Sequence, residues 1–211
     1  MPHLEIYWSF RSPYSYLALP KLSEIIARKD VSHAMRFVRP LALREDDFFS
    51  GARPQMLPYL INDCFREAQM LGMTMVMPQP DPITMDMQTG IVEENQPHLE
   101  RLMRIGLAAD ITHGKGFQVA NAIALYIWGG TQNWHEGNHL TEAVSKAGLS
   151  LDALETWAGE NSSLIEKTLS KNEEDQLVHH WGVPLMVLDG EPFFGQDRLA
   201  TLQWRLDTIS K

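Results

Sequence analysis

Cysteine is nearly absent: Cys64 is the sole one in 211 residues. An internal disulfide is therefore excluded, which fits a reducing compartment. Basic runs are missing too. Eighteen Lys and Arg stand against 27 Asp and Glu, a net charge of −9, and no basic stripe offers itself to a phosphate backbone, so no nucleic-acid partner is expected. No window approaches the roughly 18 apolar residues that a membrane helix needs. No basic segment leads into an apolar stretch near Met1, so no signal peptide is expected. Neither G-x-G-x-x-G nor a P-loop is present, and nucleotide cofactors are not indicated. These absences predict a soluble, cytoplasmic chain, long enough to bury a sizeable core without staples.

What is present has an order. Leu4 to Phe10 alternates apolar Leu4, Ile6, Trp8 and Phe10 with Glu5, Tyr7 and Ser9, the period of a strand. Pro13 suits the first turn of a helix, since its missing N–H would be unpaired there anyway, and that helix is predicted to run to about Lys29 with a kink at Pro20. His33 to Leu43 reads as a second strand, closing a βαβ unit with parallel strands. From Pro54 to His180 helical periodicity takes over: 57–71, 97–109, 116–128, 140–147, 151–158 and 163–180. Ser163 with Glu166 reads as a capping box, and Ser150 as the cap of the helix ending near Gly159. Between 73 and 89, Pro78, Pro80 and Pro82 predict a stiff extended loop. Strand character returns at 185–188 and 192–194, flanking the hairpin dipeptide Asp189-Gly190. Asp197 is then expected to cap a last helix carrying Leu199, Leu202 and Leu206 on one face. The order βαβ, helical block, ββα predicts an α/β, thioredoxin-like fold with a large all-helical insertion. The expected division is 1–48 with 181–211 for the thioredoxin-like domain and 49–180 for the insertion.

Three short segments carry the chemistry. A strand running into Ser12-Pro13-Tyr14-Ser15 at a helix start is the place where thioredoxin-like proteins hold Cys-x-x-Cys, yet both reactive positions are serine. Gly182-Val183-Pro184 precedes the first late strand, where a cis proline would expose the N–H and C=O of Val183 to an extended peptide-like ligand. In Phe194-Gly195-Gln196-Asp197-Arg198, a glycine before a helix start frees backbone amides for an anion, while Asp197 offers a carboxylate to an ammonium. Together the three segments, continued through Tyr16 and Leu17 at the first, resemble the 2-hydroxychromene-2-carboxylate isomerase family, relatives of kappa-class glutathione transferases in the DsbA-like branch of the thioredoxin superfamily.

The resemblance implies glutathione as cofactor and a small-molecule substrate. Ser12 matches the catalytic serine whose hydroxyl donates to the glutathione sulfur. Val183, before Pro184, matches the residue whose backbone pairs with the cysteinyl part, and Gln196 and Asp197 the pair that holds the γ-glutamyl end. A serine hydroxyl and helix-start amides both favour thiolate over thiol. The implied reaction is a glutathione-dependent cis-trans isomerisation: the thiolate adds to a conjugated substrate, a double bond becomes a rotatable single bond, and expulsion of sulfur gives the isomer. Kappa-type relatives hold the glutathione carboxylate with an asparagine and a lysine; here Gly51-Ala52-Arg53-Pro54 has neither, leaving Arg53 as the substitute. Arg11 is unusual beside the catalytic serine and stands either as a binder of a substrate carboxylate or as a solvent-facing charge. A homodimer is common in the family. The alternatives are a kappa-type transferase or peroxidase that consumes glutathione and, in another class, a non-catalytic thioredoxin-like module that binds peptides. Disulfide exchange is excluded for Ser12 and Ser15.

Two further motifs are read as structural. His135-Glu136-Gly137-Asn138-His139 matches H-E-x-x-H, but Gly137-Asn138 breaks the continuous helix that a zinc site requires, and no metal is expected. His179-His180 reads as a polar helix end. Cys64, among Leu60, Ile61 and Leu71, reads as an inert core thiol, and Met70, Met73, Met75 and Met77 as core or as an apolar wall.

Overall fold

The structure is a computed structural model that describes residues 1–45, 48, 51–86, 89 and 91–209. Four strands, β1 (His3–Trp8), β2 (Ser32–Phe37), β3 (Leu185–Leu188) and β4 (Glu191–Phe194), form one sheet in the order β2-β1-β3-β4. β1 and β2 are parallel with Ile6 opposite Met35, and β3 runs antiparallel to β1 with Met186 opposite Ile6. The parallel pair follows from the crossover helix α1 (Pro13–Ile26). β3 and β4 close a hairpin in which Asp189 and Gly190 both take positive φ, 48° and 88°. That is the conformation for which the dipeptide is suited.

The helical block contains α2 (Met56–Met70), α3 (Pro97–His113), α4 (Gly116–Trp128), α5 (His139–Lys146), α6 (Leu151–Glu160) and α7 (Ser162–His179); α8 (Leu199–Ile209) follows the hairpin. The expected α/β class with a helical insertion is what the structure shows. Side chains of alternate parity build two layers. Leu4, Ile6, Trp8, Met35, Phe37, Met186 and Leu188 join the main core with α1, α3 and α4, whereas Tyr7, Val38, Leu185 and Val187 form a smaller cluster on the other face. Gly106 lets α3 come down onto the sheet, because a Cβ there would sit 2.6 Å from the Phe37 ring. The expected boundary at Phe48/Phe49 abuts residues outside those described, as do parts of the 73–89 loop and the last two residues.

Several local expectations need correction. β1 ends at Trp8, not Phe10, because the Ser9 carbonyl accepts the Ser12 N–H and the Phe10 carbonyl accepts the Trp128 indole N–H. β2 stops at Phe37: Pro40 has no N–H for a ladder, and Leu41–Leu43 winds into a 3-10 turn on its carbonyl. α1 ends at Ile26 and runs through Pro20. The capping box fails because α7 starts at Ser162 without a side-chain cap, and Glu166 pairs instead with Arg39. Asp197 caps no helix. It lies inside a 3-10 turn, Gln196–Arg198, and pairs with Arg198 at 3.0 Å. Ser150 does cap α6, accepting from the Ala153 amide.

Candidate active site

The centre of the site is the junction between β1 and α1. Trp8 is fully buried, and its indole N–H donates to the Ser15 carbonyl at 3.0 Å, tying the strand end to the first helical turn. Ser12 is the N-cap of α1: its Oγ accepts from the Ser15 amide at 3.2 Å while Pro13 occupies the first helical position. Ser15, at the second reactive position of the turn, is fully buried, and its hydroxyl has no partner among the described residues.

Opposite Ser12 lies the predicted turn, and its Val183–Pro184 bond is cis. Ser12 Oγ donates to the Val183 carbonyl at 3.5 Å, the outer limit of a hydrogen bond. Val183 is half-buried, and its own N–H has no partner among the described residues. The Val183 N–H is therefore left without a protein partner among the described residues, and its carbonyl carries only the long Ser12 bond. The third predicted segment is joined to the second, since the Gly195 N–H donates to the Pro184 carbonyl at 2.9 Å. Gly195 has φ 96° and ψ 153°, a region that glycine alone occupies comfortably. A Cβ there would also lie 2.5 Å from Asp197 Oδ1. So Ser12, Val183, Pro184, Gln196 and Asp197, drawn from the two ends of the chain, are brought to one end of the sheet.

The opposite flank of the Ser12 turn is closed by the insertion. Arg11 Nε donates to Asp81 Oδ1 at 2.5 Å, and the guanidinium lies 5.9 Å from the Trp128 ring centre. Its two terminal nitrogens have no protein partner among the described residues. The Tyr14 hydroxyl donates to Asp63 Oδ2 at 2.8 Å, and burial together with that bond pushes the phenol's pKa up. Cys64, beside Asp63, is 1% exposed, and burial pushes its thiol up to about 11. A thiol so placed holds almost no thiolate at neutral pH, so the inert reading stands. Arg53 is exposed and makes no ion pair among the described residues.

Sequence reading missed what holds the cis-proline turn. Gln176, fully buried on α7, donates from Nε2 to the carbonyls of Trp181 (3.1 Å) and Gly182 (2.8 Å). Arg44 donates to the Trp181 carbonyl at 3.0 Å. His180 is more than a polar helix end: its Nδ1 accepts the Gly182 N–H at 3.0 Å, and its ring stacks on Phe194 at 3.7 Å. Burial lowers the His180 pKa, the direction that favours an accepting ring nitrogen. A polar residue at an inward-facing helical position, in step with Ile165, Leu169 and Asn172, is the sequence signal that could have found Gln176.

The remaining motifs resolve simply. His135 lies in a turn and His139 opens α5, with Gly137 at φ 57° between them. The two are not on one helix. The methionines do not form one wall: Met75 is buried in the core, whereas Met70 and Met77 are exposed. Among the described residues, no helix is long and apolar enough to cross a membrane.

Comparisons with known proteins agree with this geometry. The solved structure of 2-hydroxychromene-2-carboxylate isomerase superimposes with a TM-score of 0.71 at 21% identity, covering 99% of this chain and 96% of that one. A probable DsbA oxidoreductase from Streptomyces coelicolor gives 0.66 at 14% identity, covering 99% and 89%. The cytosolic disulfide reductase DsbM from Pseudomonas aeruginosa, solved with GSH, gives 0.58 at 16% identity, covering 97% and 99%. At these identities the likeness is one of fold. No curated protein matches the sequence. The family model of the DSBA-like thioredoxin domain matches residues 3–207, so the chain belongs to the DSBA-like thioredoxin domain family.

Proposed function

We propose that the protein is a glutathione-dependent cis-trans isomerase of the 2-hydroxychromene-2-carboxylate isomerase type, acting on a small conjugated carboxylate. One observation carries this reading. The cis-proline turn offers the unpaired N–H and the carbonyl of Val183 beside the hydroxyl of Ser12, in a turn that has no cysteine of its own. A site of that form suits a peptide-like thiol brought from outside. Glutathione, when bound, supplies a thiolate that adds reversibly to the substrate.

The residues divide the work. Val183 holds the cysteinyl part of the tripeptide through its backbone, and Pro184 fixes that backbone edge-on. Ser12 keeps its proton and donates a hydrogen bond to the sulfur. Little is lost in that exchange, because its present bond to the Val183 carbonyl is long, while the Ser15 amide keeps polarising the hydroxyl. The start of α1 adds the positive end of a helix dipole, so thiolate is favoured over thiol without any deprotonation of Ser12. Gln196 and Asp197 take the γ-glutamyl end, with Asp197 facing the ammonium. Arg53, exposed and without an ion pair among the described residues, takes the glycyl carboxylate. The free terminal nitrogens of Arg11 suit a substrate carboxylate, for which a planar guanidinium fork is well matched. The cytoplasm, a reducing compartment, suits both a thiol supply and the lone Cys64.

Calorimetry at millimolar glutathione, followed by turnover with a limiting amount, tests the reading. Binding with unconsumed glutathione is expected. Absence of binding would overturn the roles of Ser12, Val183, Gln196, Asp197 and Arg53 together, and loss of one equivalent per turnover would make the protein a transferase instead.

A further inference from the structure

Beside the Val183 turn lies an exposed aromatic surface on a firmly anchored backbone. Trp181 is 54% exposed and Phe194 is 38% exposed, with ring centres 5.8 Å apart. His180 joins them, stacked on Phe194 at 3.7 Å and on Trp181 at 4.9 Å. An exposed tryptophan on a loose loop would mean little. Here the backbone under it is fixed, because the Trp181 carbonyl accepts from both Arg44 and Gln176. The next carbonyl accepts from Gln176, and the next amide donates to His180. Gly182 is required for this packing, since a Cβ there would sit 2.6 Å from the Phe194 ring.

Position gives the cluster its meaning. Trp181 lies two residues before Val183, no more than about 7 Å of backbone. Phe194 lies directly before Gly195, whose amide is bonded to Pro184. Both rings therefore border the two segments assigned to the thiol cofactor. Their exposed parts adjoin a cluster that already has three rings, and stacked or tilted rings are favourable arrangements for aromatic partners. The flanking His180 is held in place by the Gly182 N–H, which its Nδ1 accepts at 3.0 Å.

We propose that Trp181, with Phe194 behind it, is the shelf on which the conjugated ring of the second substrate lies while its reacting carbon meets the cofactor sulfur. This inference rests on the glutathione reading and adds to it the residue that positions the substrate's ring. Two glutathione derivatives separate the parts, S-methylglutathione, which tests the tripeptide site alone, and S-(1-naphthylmethyl)glutathione, which adds a ring at the sulfur.

In the unaltered protein the naphthyl derivative should bind roughly tenfold more tightly than the methyl one, the size expected of an aromatic contact with its burial. Trp181→Ala should abolish that advantage and leave S-methylglutathione affinity unchanged, because the backbone carbonyl held by Arg44 and Gln176 survives the substitution. Trp181→Phe should keep most of the advantage. An advantage that persists in Trp181→Ala would put the ring elsewhere and overturn the shelf alone. Equal weakening of both derivatives would make Trp181 a support for the turn and also overturn it. If neither derivative bound the unaltered protein at millimolar concentration, the glutathione reading would fall and the shelf with it.

Discussion

The two flanks of the Ser12 turn are built on opposite principles. Toward the cis-proline turn the groups nearest Ser12 are backbone: the Val183 N–H and carbonyl, the Gly195 linkage and the long Ser12–Val183 bond. Toward the insertion they are side chains: Arg11 against Asp81, Tyr14 against Asp63, and the Trp128 indole on the Phe10 carbonyl. Backbone groups recognise another backbone whatever its side chains, and suit a cofactor common to many relatives. Side-chain pairs are specific to one sequence, and suit the part of the site that differs between relatives. Under the proposed function, the contrast would put cofactor recognition on the sheet side and leave selectivity to what surrounds it.

The largest effect should come from removing Ser12, the side chain that the proposed reaction sets against the sulfur. Ser12→Ala is expected to lower kcat/KM by roughly a hundredfold, the size associated with losing one donor to a reacting anion. Stability should fall by only about 1 kcal/mol, for the lost N-cap. Steady-state turnover and a urea titration on the same protein separate the two, and unchanged turnover would take Ser12 out of the mechanism. Next in size is Gly195→Ala. The backbone there has φ 96°, and the new Cβ would meet Asp197, so about 2 kcal/mol of stability should be lost. Glutathione affinity should fall with it as the Gly195–Pro184 bond loosens. A variant that kept both would show that the glycine is not needed for the shape of this loop.

How much of this was legible follows from where each signal lies along the chain. The Asp189-Gly190 hairpin and the Pro13 helix start depend on neighbouring residues, and short motifs announced them; the cis Val183–Pro184 bond was signalled only with the distant Ser12-Pro13. The overrun of β2 into Leu41–Leu43 comes from weighing apolar residues alone, when Pro40 had already removed the ladder donor. Ser163-x-x-Glu166 had the right letters, but Arg39, 127 positions away, takes the glutamate. The partners of Arg11 and Tyr14 are 70 and 49 positions distant, and nothing local marks Asp81 or Asp63 as their acceptors. His179-His180 read as an ordinary helix end because the partner of His180 is Phe194, in a later strand. Backbone features were therefore visible in short motifs, whereas side-chain pairings across the insertion required the fold.

The smallest effect should fall on the side-chain flank, and it sharpens the contrast most. Asp81 Oδ1 accepts from Arg11 Nε at 2.5 Å and from the Ile83 amide at 3.0 Å, with the two side chains of the ion pair 18% and 22% exposed. Asp81→Asn keeps the oxygen that Ile83 uses and removes the charge that faces Arg11. Stability should drop by about 1 kcal/mol, the order of one charge-assisted bond in a partly buried place. Glutathione affinity should stay within about twofold, since no group of the Val183 flank is touched. The guanidinium, relieved of a competing carboxylate, should then bind a carboxylate substrate more tightly, so KM for such a substrate should fall while kcat holds. A Kd for glutathione that moved more than KM would mean that the two flanks are coupled through Arg11.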